Sequence, residues 1–303
     1  METLVAADML DHLRTLLAAA GEDKPEDYDL KWANFAGGPS VIAAATGGSV
    51  DVGWMAETPL VFSQAAGSPV KVIAAALPVN PDAGGIGLAV ARNSPIRSIA
   101  DLKGKKVFYL PGTILQYVLV ELLEREGLSL NDIETVTAVG GTGPSPQLLE
   151  SGKVDAAVLI DPVLLTAEQS GEVRLLNNPH KDLHSGTRYV VAPVKVLEDE
   201  AAQAVLGDFL ARVVRAYQWQ IDNFDEAILH TARLYKLPPE QAAIVLHRTL
   251  SRFVPINDDI IATHQRQADT FTRIGLVKKQ LDARELFDTR FNGTVARTAK
   301  TVE

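Results

Sequence analysis

The chain has 303 residues, 47% hydrophobic and 22% charged, an ordinary balance for a soluble globular protein. At this length it can bury roughly three quarters of the surface its unfolded form exposes and should divide into two lobes. Its 38 acidic against 29 basic residues, a net charge of -9, exclude nucleic acid or an anionic membrane as the main partner, since both need a basic surface.

There is no cysteine, which excludes disulfides, thiolate metal centres and a cysteine nucleophile. No stretch approaches the roughly 18 apolar residues of a membrane span. Met1-Glu2-Thr3 runs straight into an apolar segment, not a basic-then-apolar leader.

Thr3 to Ala7 reads as a short buried strand, followed by a turn over Asp8 to His12 and a helix over Leu13 to Gly21. Tyr28 to Phe35 is a second strand, with apolar positions at Tyr28, Leu30 and Trp32. Gly37-Gly38-Pro39-Ser40 then opens a small-residue helix that closes at Gly47-Gly48, with proline in the first turn and glycine past the last. Ser49 to Trp54 is a third strand. Thr58 is expected to cap the next helix, with Pro59 as its first residue.

Val70 to Ala76 is a further strand, and the β-rich segments Gly84 to Arg92 and Arg188 to Ala192 are expected to cross between lobes. Between them, Val107 to Leu110 is a buried strand stopped by Pro111-Gly112. Thr113 caps a helix whose Ile114, Leu115, Val118, Leu122 and Leu123 recur at three- and four-residue intervals up to Gly127. Glu134 to Val139 leads into the loop Gly140 to Ser145, and Lys153 to Ile160 ends at Asp161-Pro162, where Asp161 should cap the helix that follows. From Glu198 to Asp222 and from Glu226 to Phe287 the period is helical, and the tail after Phe287 is expected to be a surface strap.

Strands alternating with helices imply parallel sheets covered on both faces, an α/β protein. In such sheets ligands collect beyond the carboxyl ends of the strands, where each capped loop falls. Helix N-termini there favour an anion. The loops at Asp8, Gly38, Thr58, Thr113, Thr142 and Asp161 are therefore expected to line one small-ligand cleft.

Four segments carry a family resemblance: FAGGPSVIAAATGGSVDVGWMAETPLVFSQAAG, NSPIRSIADLKGKKV, GTILQYVLVELLEREGLSLNDIE and SGKVDAAVLIDP. Together they resemble the solute-binding proteins of ABC importers for aliphatic sulfonates, taurine, nitrate and related anions. The resemblance spans nearly the whole chain. DLKGKKV marks the wider superfamily, and the ETP and DP loops in this order are more specific.

The resemblance implies a two-lobed periplasmic-binding-protein type II fold with the ligand cleft between lobes. Residues 1–83 plus 189–303 would form the first lobe and 84–188 the second. It implies ligand contacts at Asp8 and Met9, at Gly38, Pro39 and Ser40, and at Glu57 and Thr58. In the middle of the chain it implies Gly112, Thr113, Gln116, Tyr117, Thr142 and Asp161. Helix-start N–H groups near Gly38 and Thr113, with the hydroxyls of Ser40, Thr58 and Thr113, would hold an oxyanion without a buried arginine.

Met9, Pro144-Ser145-Pro146 and Ile160 stand where relatives often carry a polar amide, an Asp-Ala-Arg run and a tryptophan, which points to a larger or more apolar ligand than taurine. The resemblance further implies a monomer in a periplasmic or extracytoplasmic location. Its signal peptide would not be part of this sequence, and its partner would be a membrane permease.

No catalytic group or cofactor is expected. The six histidines, His12, His180, His184, His230, His247 and His264, contain no HExxH or other metal-spaced pair and are expected at the surface. No GxSxG, Walker A or GxGxxG motif stands at a strand-to-helix junction. The alternative is a cytosolic enzyme of the same fold, thiamine-pyrimidine synthase-like or desulfinase-like. Such relatives lean on cysteine-bearing motifs, which this chain lacks.

Overall fold

The structure is a computed structural model that describes residues 1–137, 145–178 and 186–301. The Gly140 to Pro144 part of the glycine loop, with Thr142, and both His180 and His184 lie outside the described residues. The chain divides into two compact units. One comprises Met1–Val79, Gly186–Pro239 and Leu250–Glu303, and the other Asn80–Ser185 and Glu240–Thr249.

The elements in chain order begin with β1 (Thr3–Met9), α1 (His12–Ala19), β2 (Asp29–Phe35), α2 (Gly38–Thr46), β3 (Gly53–Ala56), α3 (Thr58–Ala65) and β4 (Val70–Pro78). The middle holds β5 (Ile86–Ala91), β6 (Lys106–Phe108), α4 (Ile114–Arg125), β7 (Glu134–Val136), α5 (Ser145–Glu150), β8 (Ala156–Ile160), α6 (Val163–Ser170) and β9 (Val173–Leu175). The last third holds β10 (Arg188–Pro193), α7 (Val194–Leu197), α8 (Glu200–Asp222), α9 (Phe224–Tyr235), α10 (Pro239–Thr249), β11 (Ser251–Val254), α11 (Asp258–Arg273) and α12 (Asn292–Thr301).

In the first unit β1 and β2 run parallel, and β1 reaches β3's approach through the Ala6–Val52 bridge. The four-stranded sheet has the order β11-β4-β10-β3. Two core clusters cover opposite faces. One gathers Leu13, Leu16 and Leu17 of α1 with Phe209, Val213 and Tyr217 of α8, and the other gathers Val41 and Ile42 of α2 with Leu60 of α3 and Ile260 of α11.

The second unit's sheet has the order β7-β6-β8-β5-β9. Its strands show the two-residue alternation of a sheet buried on both faces. Ile86, Leu88, Val90, Ala156 and Val158 face α4, while Ala89, Ala157 and Leu159 face Leu149 of α5 and Leu164 of α6. Each fully buried Val or Leu there contributes about 1.5–3 kcal/mol relative to exposure.

Several expectations are corrected. The sheets are not all parallel: every pairing of the four-stranded sheet is antiparallel, with β10 between β3 and β4, and the five-stranded sheet is mixed, with β5 antiparallel to β8 and β9. The two supposed crossing segments are therefore interior strands. The helical run from Glu226 to Phe287 is interrupted by β11, which pairs antiparallel with β4 and buries Phe253. The tail is no loose strap: Phe291 and Val295, one turn apart, bury α12 against the α8 side of the core, and Asn292 clamps both the N–H and the C=O of Ile256. The expected division placed 189–303 entire in the first lobe, whereas residues 240–249 group with the second unit.

Candidate functional site

In the first unit the candidate residues stand at the C-terminal end of β1, as its last two residues Asp8 and Met9, and just beyond the ends of β2 and β3, where these strands turn into helices. Asp8 is nearly inaccessible, at 1% exposure. Its Oδ1 accepts from the N–H of Met9 (2.7 Å) and Leu13 (3.0 Å), and its Oδ2 from Arg14 (2.9 Å), so it organises the start of α1. Burial pushes its carboxyl above the ordinary value, against the pull of those three donors. The turn it supports is tight, for Leu10 and Asp11 both adopt φ 58. Met9 packs on the core clusters of both sheet faces.

Gly38 lets α2 begin against α3. A Cβ on Gly38 would come within 2.6 Å of Pro59 Cγ, so only glycine allows the two helix starts to lie side by side. Pro39 and Ser40 are exposed on that first turn.

Thr58 does not cap α3. It is the first helical residue, and its hydroxyl donates to Gln267 Oε1 of α11 at 2.7 Å. Both groups are buried, so that hydroxyl's proton is committed inside the protein. Glu57 is buried beside it. Together with burial, the larger cause, the Glu57 charge pushes the Tyr189 phenol well above its ordinary value.

In the second unit the loop before α4 is bonded to itself. Gly112, at φ 70, donates its N–H to Gln116 Oε1 at 2.7 Å. Thr113 caps α4 as expected, with its hydroxyl accepting from Leu115 N–H (3.3 Å), but it also donates to Leu110 O (2.7 Å). The Gly112 N–H and the Thr113 proton, expected to face an anion, thus hold the loop in shape. Gln116 is buried and Tyr117 partly so, on the first turn of α4.

Asp161 sits after β8, in a cis peptide with Pro162. Its Oδ1 accepts from Leu165 N–H at 3.1 Å and so ties the first turn of α6, but the cap position itself is held by Pro162 and not, as expected, by Asp161. Arg248 of α10 places Nη1 3.2 and 3.1 Å from the two carboxylate oxygens, with Glu168 Oε2 3.9 Å away.

Sequence reasoning missed an aromatic and cationic group in the first unit. Arg188 opens β10 opposite Ala56 of β3 and Ala76 of β4. Its Cζ lies 5.2 Å from the Trp54 ring centroid, and its Nη1 donates to Ser251 Oγ at 3.4 Å. His12 stacks on Trp54 with centroids 5.1 Å apart and meets Tyr217 edge-on at 6.4 Å.

The expectation of surface histidines fails at three positions. Both ring nitrogens of His12 are shut off from water, and His230 and His264 are buried on packed helix faces. Burial, with the Arg188 and His230 charges adding to it, pushes His12 down to about 3. Burial alone pushes His264 down to about 4. Each lies on an apolar helix stripe, where its neighbours decide its environment.

Among the described residues no group of three or more His, Asp and Glu side chains is placed to hold a metal ion. A recess of about 650 Å³ lined by Arg14, Thr15, His230 and Arg233 lies along the flank of α1 and α9 and contains none of the candidate residues.

The family model described as NMT1/THI5 like matches residues 24–227, more than half of the chain. The chain belongs to this family. The NMT1/THI5-like chain is 31% identical over 266 residues to the "Putative aliphatic sulfonates-binding protein" of Escherichia coli (strain K12), covering 87% of this chain and 81% of that one. It is 28% identical over 274 residues to the protein of the same name from Bacillus subtilis (strain 168), covering 88% and 78%.

Among solved structures it is similar to the periplasmic aliphatic sulphonate binding protein SsuA from Escherichia coli, with a TM-score of 0.79 and 28% identity over 95% of this chain and 92% of that one. The fold is that of the periplasmic binding proteins. It is shared at 15% identity (TM-score 0.68, covering 98% and 99%) by a desulfurization enzyme, a likeness of fold alone.

Proposed function

We propose that this protein is a non-enzymatic, extracytoplasmic substrate-binding protein that captures a small organic anion, an alkyl or aryl sulfonate, and delivers it as a monomer to an ABC permease. The observation that carries this reading is the 31% identity, over 87% of the chain, to a protein named for binding aliphatic sulfonates. The site chemistry supports it. The candidate loops follow strand ends and begin helices, where N–H groups and the helix dipole favour a negative guest.

In this proposal the first unit offers Gly38, Pro39 and Ser40 at the start of α2, with Met9, Glu57 and Thr58 around them and Asp8 holding the β1 turn. Ser40, exposed on the first turn, is the hydroxyl best placed to donate, because the proton of Thr58 goes to Gln267. The second unit offers the α4 start, with Gly112, Thr113, Gln116 and Tyr117, and the β8 end, with Asp161. Thr142 belongs to the proposed set by sequence. Ser145-Pro146 and Ile160 are proposed to set which tail fits.

The test is a thermal-shift screen of the whole chain against alkyl and aryl sulfonates, taurine, sulfate, nitrate and thiamine-pyrimidine analogues. A ligand at a hundred times its Kd should stabilise the fold by about 2.7 kcal/mol. Stabilisation by sulfonates supports the proposal, while stabilisation by the pyrimidine analogues alone would return the enzyme reading.

A further inference from the structure

The second unit carries a buried carboxylate at the edge where its candidate loops open. β6 and β8 lie side by side and parallel, with Phe108 opposite Ala157. The loop from β6 to Gly112 and Thr113 and the loop from β8 to Asp161 therefore leave the same edge of the sheet. Asp161 is fixed there by its backbone, whose N–H donates to Gly85 O at 2.9 Å just ahead of β5. Its carboxylate lies over Gly85, where an added Cβ would stand 3.4 Å from Oδ2.

A carboxylate in this place works against the capture of an anion. Its side chain is buried, so little water screens its charge from a ligand at the neighbouring α4 start. The counter-charge comes from far along the chain. Residues 240–249, almost all of α10, belong to the last third of the sequence yet group with the second unit. From there Arg248 brings Nη1 to 3.2 and 3.1 Å from the two Asp161 oxygens. The helix is tied down one residue earlier, where Asn80 Nδ2 donates to His247 O at 2.9 Å.

The guanidinium is committed to acidic groups of the protein. Asp161 is in direct contact, and Glu168 of α6 places Oε2 3.9 Å from the same Nη1. Its effect on a ligand is therefore one of field, through the carboxylate it neutralises, and needs no bond between the ligand and Arg248.

We propose that Arg248 sets the charge preference of the site: by cancelling the Asp161 carboxylate it lets the second unit accept a ligand of net negative charge, where the uncompensated carboxylate would favour a zwitterion. The inference rests on the organic-anion reading above and deepens it with a specificity-determining residue that the ligand does not touch.

The test uses two ligands that differ by one ammonium group, ethanesulfonate and taurine, so the ratio of their Kd values reads the charge of the site. Loss of folded protein in a variant affects both titrations alike and cancels in the ratio. Calorimetric titration is run on the whole chain as wild type, Asp161→Asn, Arg248→Met, Arg248→Lys and the Asp161→Asn, Arg248→Met double variant. Asp161→Asn leaves the cation and should shift the ratio roughly 10-fold toward ethanesulfonate. Arg248→Met leaves the carboxylate and should shift it by a similar factor toward taurine. The double variant and Arg248→Lys should both stay near the wild-type ratio.

A pair that serves packing alone would lower stability in both single variants and move the ratio in neither. A ratio in Asp161→Asn within twofold of wild type, or shifted toward taurine, overturns the proposal and leaves the organic-anion reading intact. That result is decisive even if Arg248→Met fails to fold. Failure of the wild type to bind either ligand overturns both readings.

Discussion

Arg248 Nη1 lies 3.2 and 3.1 Å from the two carboxylate oxygens of Asp161, and this pair fastens α10 to the start of α6 within the second unit. The Asp161 side chain is 1% exposed and that of Arg248 11%, so the bond is made with little water present. Buried pairs of this kind add little over an apolar substitute, but removing one partner is costly because the other charge stays behind.

Arg248→Met is therefore expected to destabilise the protein by about 3–5 kcal/mol. Adding Asp161→Asn in the same chain should restore part of the loss. Urea unfolding of wild type, both single variants and the double variant measures the coupling. Strictly additive losses would show that the two side chains do not act as a pair.

Gly38→Ala tests the packing of two helix starts. Its new Cβ would lie 2.6 Å from Pro59 Cγ, in a proline that has few ways to move. Overpacking of this kind costs about 1–3 kcal/mol. The displaced α2 start should also weaken sulfonate binding. Wild-type stability and affinity together would mean that α2 and α3 separate without cost.

Thr58 distinguishes folding from binding. Thr58→Val removes the hydroxyl and leaves Gln267 Oε1 without that donor, an expected loss of about 1–3 kcal/mol, while Thr58→Ser should lose less. If the Thr58 proton is committed to α11, Thr58→Val should change unfolding free energy more than ligand affinity. The opposite order, from unfolding and titration on the same samples, would mean that the hydroxyl turns to the ligand.

Acid should weaken the fold through its buried histidines. An unfolded histidine takes its proton near pH 6.5, whereas in the folded chain His264 waits until about 4 and His12 until about 3. Between those values the unfolded state binds more protons, so stability rises with pH there and is lost as pH falls below about 6.5. Each ring contributes a slope of up to about 1.4 kcal/mol per pH unit. Urea unfolding from pH 7.5 to 4.5 should show this slope, reduced in His264→Phe. An unchanged slope in that variant would mean that His264 is reached by solvent.

These residues also show what a sequence can disclose. The turns at Gly37-Gly38-Pro39 and Pro111-Gly112-Thr113, and the cap at Thr113, are legible because caps, glycines and prolines act within a few residues. Arg188 is not, because its meaning depends on β10 pairing antiparallel with strands from the opposite end of the chain. β11 is hidden by its length, four residues between two helices. Thr58 looks like a cap until Gln267, far along the chain, is seen to take its proton. His12 and His264 read as surface groups because composition and spacing do not report which helix face is buried.

The most direct test of sulfonate capture is calorimetric titration of the whole chain with a series of alkyl and aryl sulfonates at neutral pH. Saturable binding of one sulfonate per chain is predicted, with the larger or more apolar tails bound more tightly than taurine. No heat of binding and no gain in thermal stability with any sulfonate in the series would contradict the account.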